Sequence, residues 1–211
     1  MRVVLASASP ARLEVLRRAG VAAEVIVSGV DEEPVEADSP ADLTLRLARL
    51  KADAVAGRLD ADAEPVLVIG CDSLLDFDGV AQGKPAGATE AAERWRAMRG
   101  HSGVLHTGHR LIVLDGDRTR TAEGVASTVV HFAEVSDAEI DAYVATGEPL
   151  WVAGAFTVDG LGGPFVTGIE GDHHNVVGLS LPLLRTLLRG LGIDWPQLWR
   201  TTPPDAVVGR Q

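Results

Sequence analysis

This sequence lacks the features of secreted and membrane proteins. Its one cysteine, Cys71, rules out an internal disulfide and fits a reducing cytoplasm. It contains no run of about 18 apolar residues, so we expect no membrane-spanning helix. The N-terminus has one basic residue and no long apolar stretch, which is not the pattern of a secretory signal. We therefore expect a cytoplasmic protein without a membrane partner.

Positive charge is also scarce. With 30 acidic and 19 basic residues, the net charge of −11 argues against binding to a nucleic acid polymer or an anionic membrane. A small anionic ligand requires a local concentration of basic groups. Only two of the basic residues are lysines, Lys51 and Lys84. Because a compact ammonium can hold a phosphate oxygen where a planar guanidinium does not fit, these two are candidate phosphate ligands.

The remaining sequence predicts an α/β protein. Strand and helix patterns alternate at the start, and two long strands around Asp115-Gly116 form a central hairpin. We expect a mixed sheet with flanking helices, as one domain over residues 1–211 with two lobes around a cleft. The tail after about residue 195 is expected to be irregular, since it contains Pro203-Pro204 and Gly209.

The N-terminal stretch LASASPARLEVL predicts a strand that runs into a capped helix. Ser9 suits the N-cap, Pro10 the first helical position and Gly20 the residue after the helix. Free amides and the positive end of the helix dipole favour an anion there. Ser7, Ser9 and Arg12 would suit a phosphate, although an ordinary capped helix explains the same pattern.

Asp72 is the strongest catalytic candidate. It interrupts the apolar run PVLVIGCDSLLDF, which is typical of a strand buried on both faces. A carboxylate at the end of such a strand is costly to bury unless it is paired, hydrogen-bonded or bound to metal. Asp31 and Glu32 lie in an acidic loop and could share a divalent cation with Asp72 if the fold brings them together. A turn-capping role for Asp72 is the alternative.

Other catalytic patterns are weak. His106 and His109 are three apart on a predicted strand and face opposite ways, and His173-His174 lacks a third ligand at zinc spacing. The GLGG stretch around Leu161 lacks the spacing of a dinucleotide fingerprint. No G-x-S-x-G pattern of a serine hydrolase is present.

Several stretches together resemble the Maf family of nucleoside triphosphate pyrophosphatases, over roughly residues 2–192. They occur in the family's order: LASASPAR, GVDEE, LARLKA, IGCDS, GKP, GHSGVLHTG, YVATGEPLWVAGAF and GLGGPFV followed by GDHHNVVGL. The resemblance implies an elongated, curved mixed sheet with a cleft, like that of the inosine triphosphate pyrophosphatases. It also implies metal-dependent hydrolysis of a nucleoside triphosphate to the monophosphate and pyrophosphate, with Mg or Mn as the cation. Family members are linked to removal of modified nucleotides and to arrest of cell division, and are often dimeric.

The resemblance also assigns roles to individual residues. Asp72 would be the proton acceptor that activates water, and Glu32 would share the metal with it. Arg12, Ser73 and Asp159 would discriminate between bases. Both lysines, Lys51 and Lys84, would serve the metal and the phosphates.

The chain departs from the family pattern at Ala11, Cys71, Ser73, Val152, Asp159 and Ser180. At position 159, thymidine- and uridine-directed members have a glutamine, which can donate and accept. An ionised aspartate only accepts, so it suits the donor edge of guanine or a modified base. A branch with an acidic residue there resembles 7-methylguanosine triphosphate hydrolases. Two other functions stay open: a non-catalytic regulator of cell division, and a phosphatase that releases orthophosphate.

Overall fold

The computed structural model describes residues 1–32, 35–59 and 64–199. Within this part the strands are β1 (Arg2–Leu5), β2 (Glu24–Val25), β3 (Val66–Phe77), β4 (Val80–Gln82), β5 (Ser102–Asp115), β6 (Arg118–Phe132) and β7 (Val166–Glu170). The α-helices are α1 (Pro10–Arg18), α2 (Pro40–Ala56), α3 (Ala88–Met98), α4 (Asp137–Ala145), α5 (His173–Val177) and α6 (Leu181–Gly190). Short 3-10 helices cover Glu148–Trp151, Ala153–Ala155, Gly163–Phe165 and Trp195–Leu198.

All the strands belong to one mixed sheet. Its order is β2-β1-β3-β5-β6-β7, and β4 pairs with β3 outside this path. β1 is parallel to both β2 and β3, whereas the other pairings are antiparallel. The fold class predicted from the sequence, α/β with a mixed sheet and flanking helices, is therefore confirmed.

The helices that follow β1 and β2 pack on opposite faces of the sheet. Alternate β1 residues separate the two cores, since successive side chains of a strand point to opposite faces. Leu5 packs with Leu16 of α1 on one face. Val4 packs with Ala52 of α2 on the other. Open α/β sheets bind ligands beyond the carboxyl end of the strand at which the helices change sides, which here is β1.

A third apolar cluster lies farther along the long strands. It centres on Trp95 of α3, whose indole ring makes edge contacts with Phe132, Tyr143 and Phe165. The Trp95 indole N–H donates to the Ala155 carbonyl at 2.7 Å, which satisfies a buried donor. None of the helices in the described ranges is long and apolar enough to cross a membrane.

Two expectations need correction. Asp72 does not end a strand, because β3 continues to Phe77 and pairs with β5 throughout. Residues 195–199 are not irregular: Leu198 is buried in the core on the α1 face of the sheet, and Trp199 pairs with Val21. The rest of the predicted irregular tail lies outside the described residues, and the single-domain prediction stays a prediction.

Candidate active site

Asp72 lies in a notch, which is a stretch along one edge of β3 between two neighbouring strands. β5 pairs along one edge of β3 from Val66 to Asp76. The opposite edge is shared: β1 pairs with β3 as far as Ile69, and β4 begins its pairing at Leu75. Among the described residues, therefore, no strand pairs with residues 70–74 on that edge. Asp72 lies at the centre of this gap, so its position follows from the topology and not from the end of its own strand.

Three side chains meet on the α2 face of the notch. The Lys51 ammonium donates to the Asp72 carboxylate and forms an ion pair with Glu32, whose Oε1 is 2.9 Å from the Lys51 Nζ. Lys51 and Asp72 side chains are only 11% and 10% exposed. The structure thus brings together three of the residues predicted from sequence, with two carboxylates around one ammonium. Glu33 of the same acidic loop lies outside the described residues.

Two glycines allow α2 to lie close enough for this contact. A Cβ on Gly70 would be 2.5 Å from the Ala48 carbonyl oxygen and 2.7 Å from the Ala52 Cβ. A Cβ on Gly108 would overlap the Thr44 backbone. Both neighbouring strands therefore lack side chains where α2 crosses them, and the helix sits directly on the sheet. Lys51 can then reach Asp72 without crossing an intervening side-chain layer.

Burial makes Asp72 a stronger base than an ordinary carboxylate. Desolvation raises its pKa, although the positive charges of Lys51 and Arg12 oppose the change. Only Oδ1 accepts from Lys51, and no described residue donates to Oδ2. One carboxylate oxygen is therefore free of the described side chains and can accept a proton from a bound water.

Arg12 occupies the opposite face and cross-links the surrounding segments. Its Nε donates to the Gly178 carbonyl at 2.7 Å, and its Nη1 donates to Ser7 Oγ and to the Cys71 carbonyl. Nη2 donates to Ser73 Oγ at 2.8 Å. A guanidinium has five N–H donors, so these four bonds leave one for a ligand. Arg12 thus ties the loop after β1, the exposed edge of β3 and the end of α5 together.

Ser7 and Ser73 both face this guanidinium. Ser7 Oγ also accepts from the Ser9 backbone N–H, and Ser9 caps α1 as predicted. Ser73 continues a hydroxyl chain: its Oγ is 2.9 Å from Thr107 Oγ1, which donates to the Asn175 carbonyl. The structure therefore places both predicted serines in one network with Arg12, and that network is separated from the Asp72–Lys51 pair by the sheet.

Lys84 is less closely held. It is exposed, follows β4, and has no hydrogen bond or ion pair with another described residue. β4 pairs Gln82 with Leu75 in an antiparallel register. β4 ends at Gln82, two residues before Lys84, and this last pair lies at the border of the notch. No side-chain contact within the described residues joins Lys84 to the other predicted site residues, so its role stays a prediction.

Asp159 lines a cavity of about 230 Å³ next to the Arg12 network. Its walls come from α1, α5, the first residue of α6 and the loop before β7: Ala11, Glu14, Val15, Arg18, Ala19, Asp159, His173, His174, Val177 and Leu181. Asp159 is exposed. Ala11, and not Arg12, is the signature residue that faces this cavity. Half of the lining residues are apolar and half are polar or charged, so the cavity offers both apolar contact and polar partners to a small ligand.

A divalent cation fits the donor chemistry of the notch. Glu32 and Asp72 already converge on one positive charge, and their oxygens are the hard ligands that Mg and Mn favour. No group of three or more His, Cys, Asp or Glu suited to a metal occurs among the described residues. Two carboxylates are nevertheless enough for magnesium where substrate phosphates and water complete the coordination.

Two other reactive side chains are inert here. Burial raises the pKa of the Cys71 thiol to about 12, so it is not a nucleophile at neutral pH. Burial lowers the pKa of His109 to about 4, and its Nε2 accepts from the Ser180 backbone N–H. His109 is therefore a neutral structural residue.

Sequence reasoning missed several parts of the site. Asn175 is the only asparagine in the sequence, and its side-chain amide donates to the Leu105 carbonyl and to Thr128 Oγ1. Its rarity was the one available signal. Thr107 carries no local signal, because its role depends on the pairing of β3 with β5. The Gly178 carbonyl carries no local signal either, because it accepts from Arg12, which is far away in the sequence.

The fold and notch define an α/β protein with a polar site at the crossover point of its sheet. The chain belongs to the Maf-like protein family, whose profile matches residues 2–191. The nucleoside triphosphate pyrophosphatase of Salinispora tropica is 61% identical over 200 residues, covering 94% of this chain and 88% of that protein. That of Streptomyces coelicolor is 60% identical over 198 residues, covering 94% of each chain. The solved Staphylococcus aureus Ham1 protein covers 90% of this chain and 100% of its own at 15% identity, with a TM-score of 0.45.

Proposed function

We propose that this protein hydrolyses nucleoside triphosphates at the α-phosphorus, releasing a nucleoside monophosphate and pyrophosphate. The observation that carries the proposal is the cluster at the notch, in which the largely buried Asp72 and Lys51 meet the exposed Glu32. The names of relatives that are 60–61% identical to it support the same activity. Removal of modified or non-canonical nucleotides from the cytoplasmic pool is the role that we infer for this reaction.

The proposed mechanism uses Asp72 as general base. Water attacks the α-phosphorus, its proton passes to Asp72, and the bond from the α-phosphorus to the bridging oxygen breaks as pyrophosphate leaves. The raised pKa of Asp72 makes the carboxylate a better proton acceptor than an exposed one. The free Oδ2 is the atom that we assign to this step.

Positive side chains would hold the phosphates. A lysine ammonium has three N–H donors; Lys51 donates one to Asp72, and its ion pair with Glu32 takes up a second direction around the nitrogen. We assign the third to a phosphate oxygen, and Lys84 to the leaving pyrophosphate from the border of the notch. Ser7 and the last free N–H of Arg12 would contact the phosphates from the other face.

A divalent cation would be held by Glu32 and Asp72. When bound, it would neutralise phosphate charge and so lower the cost of charge build-up on the leaving group. Substrate phosphates would complete its coordination, which agrees with the small number of protein ligands. Mg and Mn are the candidates.

The cavity beside Asp159 would take the base. Asp159 only accepts hydrogen bonds when ionised, so we propose that it selects guanine-type or modified bases with donors on their edge. Arg12 and Ser73 would influence selectivity from the adjoining network. Because Arg12 has a single free donor, we assign it mainly to holding the cavity wall on which Ala11 lies.

Product identification separates this proposal from its alternatives. Purified protein is incubated with canonical and modified triphosphates and Mg or Mn, and the products are resolved. Pyrophosphate plus monophosphate supports the proposal, with loss of activity in a chelator. Orthophosphate alone would instead indicate a phosphatase, and no turnover would favour a non-catalytic regulator of cell division. A homodimer stays a prediction.

Asp72→Asn tests the general base. The amide keeps the size of the side chain and cannot take a proton from water, so we expect turnover to fall by about 10²–10⁴-fold. Circular dichroism should remain that of the wild type. Asp76→Asn, a partly buried carboxylate in the same strand, is the matched control and should keep most activity. Near-normal turnover in Asp72→Asn would refute the assignment.

A further inference from the structure

The loop that carries Asp159 is folded around a single carboxylate. Glu148 Oε1 accepts from Tyr143 Oη at 2.9 Å, from Thr157 Oγ1 at 2.5 Å and from the Gly162 N–H at 3.0 Å. Its Oε2 accepts from the Leu161 N–H at 3.0 Å. Three of these donors belong to residues 157–162, on both sides of Asp159. The carboxylate therefore connects both ends of the Asp159 loop.

The glycines of the GLGG stretch fit this arrangement. A Cβ on Gly160 would lie 2.5 Å from Glu148 Oε2, and one on Gly162 would lie 2.5 Å from Tyr143 Oη. Real Cβ atoms do not approach oxygen so closely, and at Gly162 the Cβ would also lie 2.8 Å from the Thr157 carbonyl oxygen, so the loop backbone would have to shift to admit a side chain there. The stretch that is not a dinucleotide fingerprint is thus explained by the close approach of the loop backbone to a charged side chain.

The other end of this arrangement is fixed in the core. Tyr143 is buried in α4, and its ring makes edge contacts with Trp95 and Phe165, with centroids 5.5 Å away in each case. Its hydroxyl also accepts from the Thr157 N–H. Desolvation opposes ionisation of Glu148, but the hydrogen bonds from Thr157, Leu161, Tyr143 and Gly162 lower its pKa below the ordinary value.

We propose that Glu148 is a positioning residue for base selectivity, which holds the 157–162 loop so that Asp159 faces the cavity. The inference rests on the proposed function, in which this cavity takes the base. Glu148 would therefore influence base selectivity from outside the cavity, since it is not among the lining residues. In Glu148→Gln, an N–H₂ group would replace one of the two carboxylate oxygens. It could not accept from the N–H or O–H donors that the replaced oxygen binds.

The test compares Glu148→Gln with Glu139→Gln. Glu139 also accepts hydrogen bonds from backbone and side chain, but within the capping box of α4 and away from the loop. The first readout is amide hydrogen exchange of Leu161 and Gly162 without substrate. Glu148→Gln should speed exchange at both amides by roughly tenfold or more, whereas Glu139→Gln should leave them unchanged.

The second readout is selectivity. We expect the ratio of kcat/KM between the best and worst triphosphates to fall roughly tenfold in Glu148→Gln, with kcat on the best one changed less than about threefold. Adding Glu148→Gln to Asp159→Asn should lower the ratio no further, because both changes act through position 159. Unchanged exchange and an unchanged ratio in an active protein would overturn the inference.

Two further outcomes are distinguishable. If the wild type releases no pyrophosphate, the proposed function fails, while amide exchange still reports on the loop. If Glu148→Gln does not fold, Thr157→Val removes one donor and should lower the selectivity ratio by a few-fold. A folded Thr157→Val with wild-type selectivity and wild-type exchange at Gly162 would then overturn the inference.

Discussion

Lys51 is, after Asp72, the most important residue of the proposed active site. It is one of two lysines in the chain, and it lies between two carboxylates with a largely buried side chain. The scarcity of lysine predicts positions where an ammonium fits and a guanidinium does not. The structure agrees at position 51, because the Lys51 side chain is only 11% exposed and its ammonium contacts both Asp72 and Glu32.

Lys51→Arg tests this size argument directly. The charge is conserved, but the larger planar group must push the carboxylates apart, so we expect kcat/KM to fall at least about tenfold. Thermal unfolding should also occur at a lower temperature. Arg58→Lys, at a site near the end of α2 where the guanidinium bonds backbone carbonyls, is the control and should keep full activity. Equal activity in Lys51→Arg would mean that position 51 needs charge alone.

Local signals explain which parts of the elements were predictable. Ser9-Pro10 marks the start of α1, as predicted. The same Ser-Pro signal begins α2 at Ser39, and a capping box of Ser136 and Glu139 begins α4. The predicted hairpin at Asp115-Gly116 is confirmed, and Asp78-Gly79 forms the turn between β3 and β4. Cap and turn preferences depend on a few neighbouring residues, so a sequence can reveal them.

Nonlocal pairing explains what was missed. The notch around Asp72 exists because β1 pairs with β3 only as far as Ile69, and β4 pairs with it only from Leu75. No local sequence pattern indicates where these pairings end. β2 covers only Glu24–Val25, and α5 covers only five residues. The sequence pattern does not indicate these short lengths. The apolar run around Asp72, the acidic loop at Glu32 and the scarcity of lysine predict the three residues one by one, but only the family resemblance predicts that all three serve one site.

Gly70→Ala tests whether the close approach of α2 builds the site. The added methyl meets the Ala48 carbonyl and Ala52, so we expect the free energy of unfolding to fall by about 1–3 kcal/mol. Displacement of α2 should separate Lys51 from Asp72 and lower activity more than stability explains. Denaturant titration and kcat/KM at a temperature where both proteins are folded provide the comparison.

The matched control is Gly190→Ala in α6. Nothing lies within 4 Å of the added Cβ there, so stability should be unchanged or higher by up to about 1 kcal/mol. Wild-type stability and activity in Gly70→Ala would show that α2 tolerates a methyl beneath it. The link between helix packing and the Asp72–Lys51 contact would then be lost.

For the whole molecule, the central problem is how an acidic protein binds a polyanion. The net charge is −11, yet the two faces of the sheet each place one cation near the middle of β3, Lys51 on the α2 side and Arg12 on the α1 side. The sheet topology produces this arrangement, because crossover helices from β1 and β2 lie on opposite faces. Positioning and charge neutralisation are what phosphoryl transfer requires of a protein.

The most direct test of the account is the position of bond cleavage. The protein hydrolyses its best triphosphate in water labelled with heavy oxygen, and mass spectrometry locates the label. Attack at the α-phosphorus predicts that the label is found in the nucleoside monophosphate, while the pyrophosphate stays unlabelled. Label in pyrophosphate or in orthophosphate would contradict the account, because water would then have attacked another phosphorus.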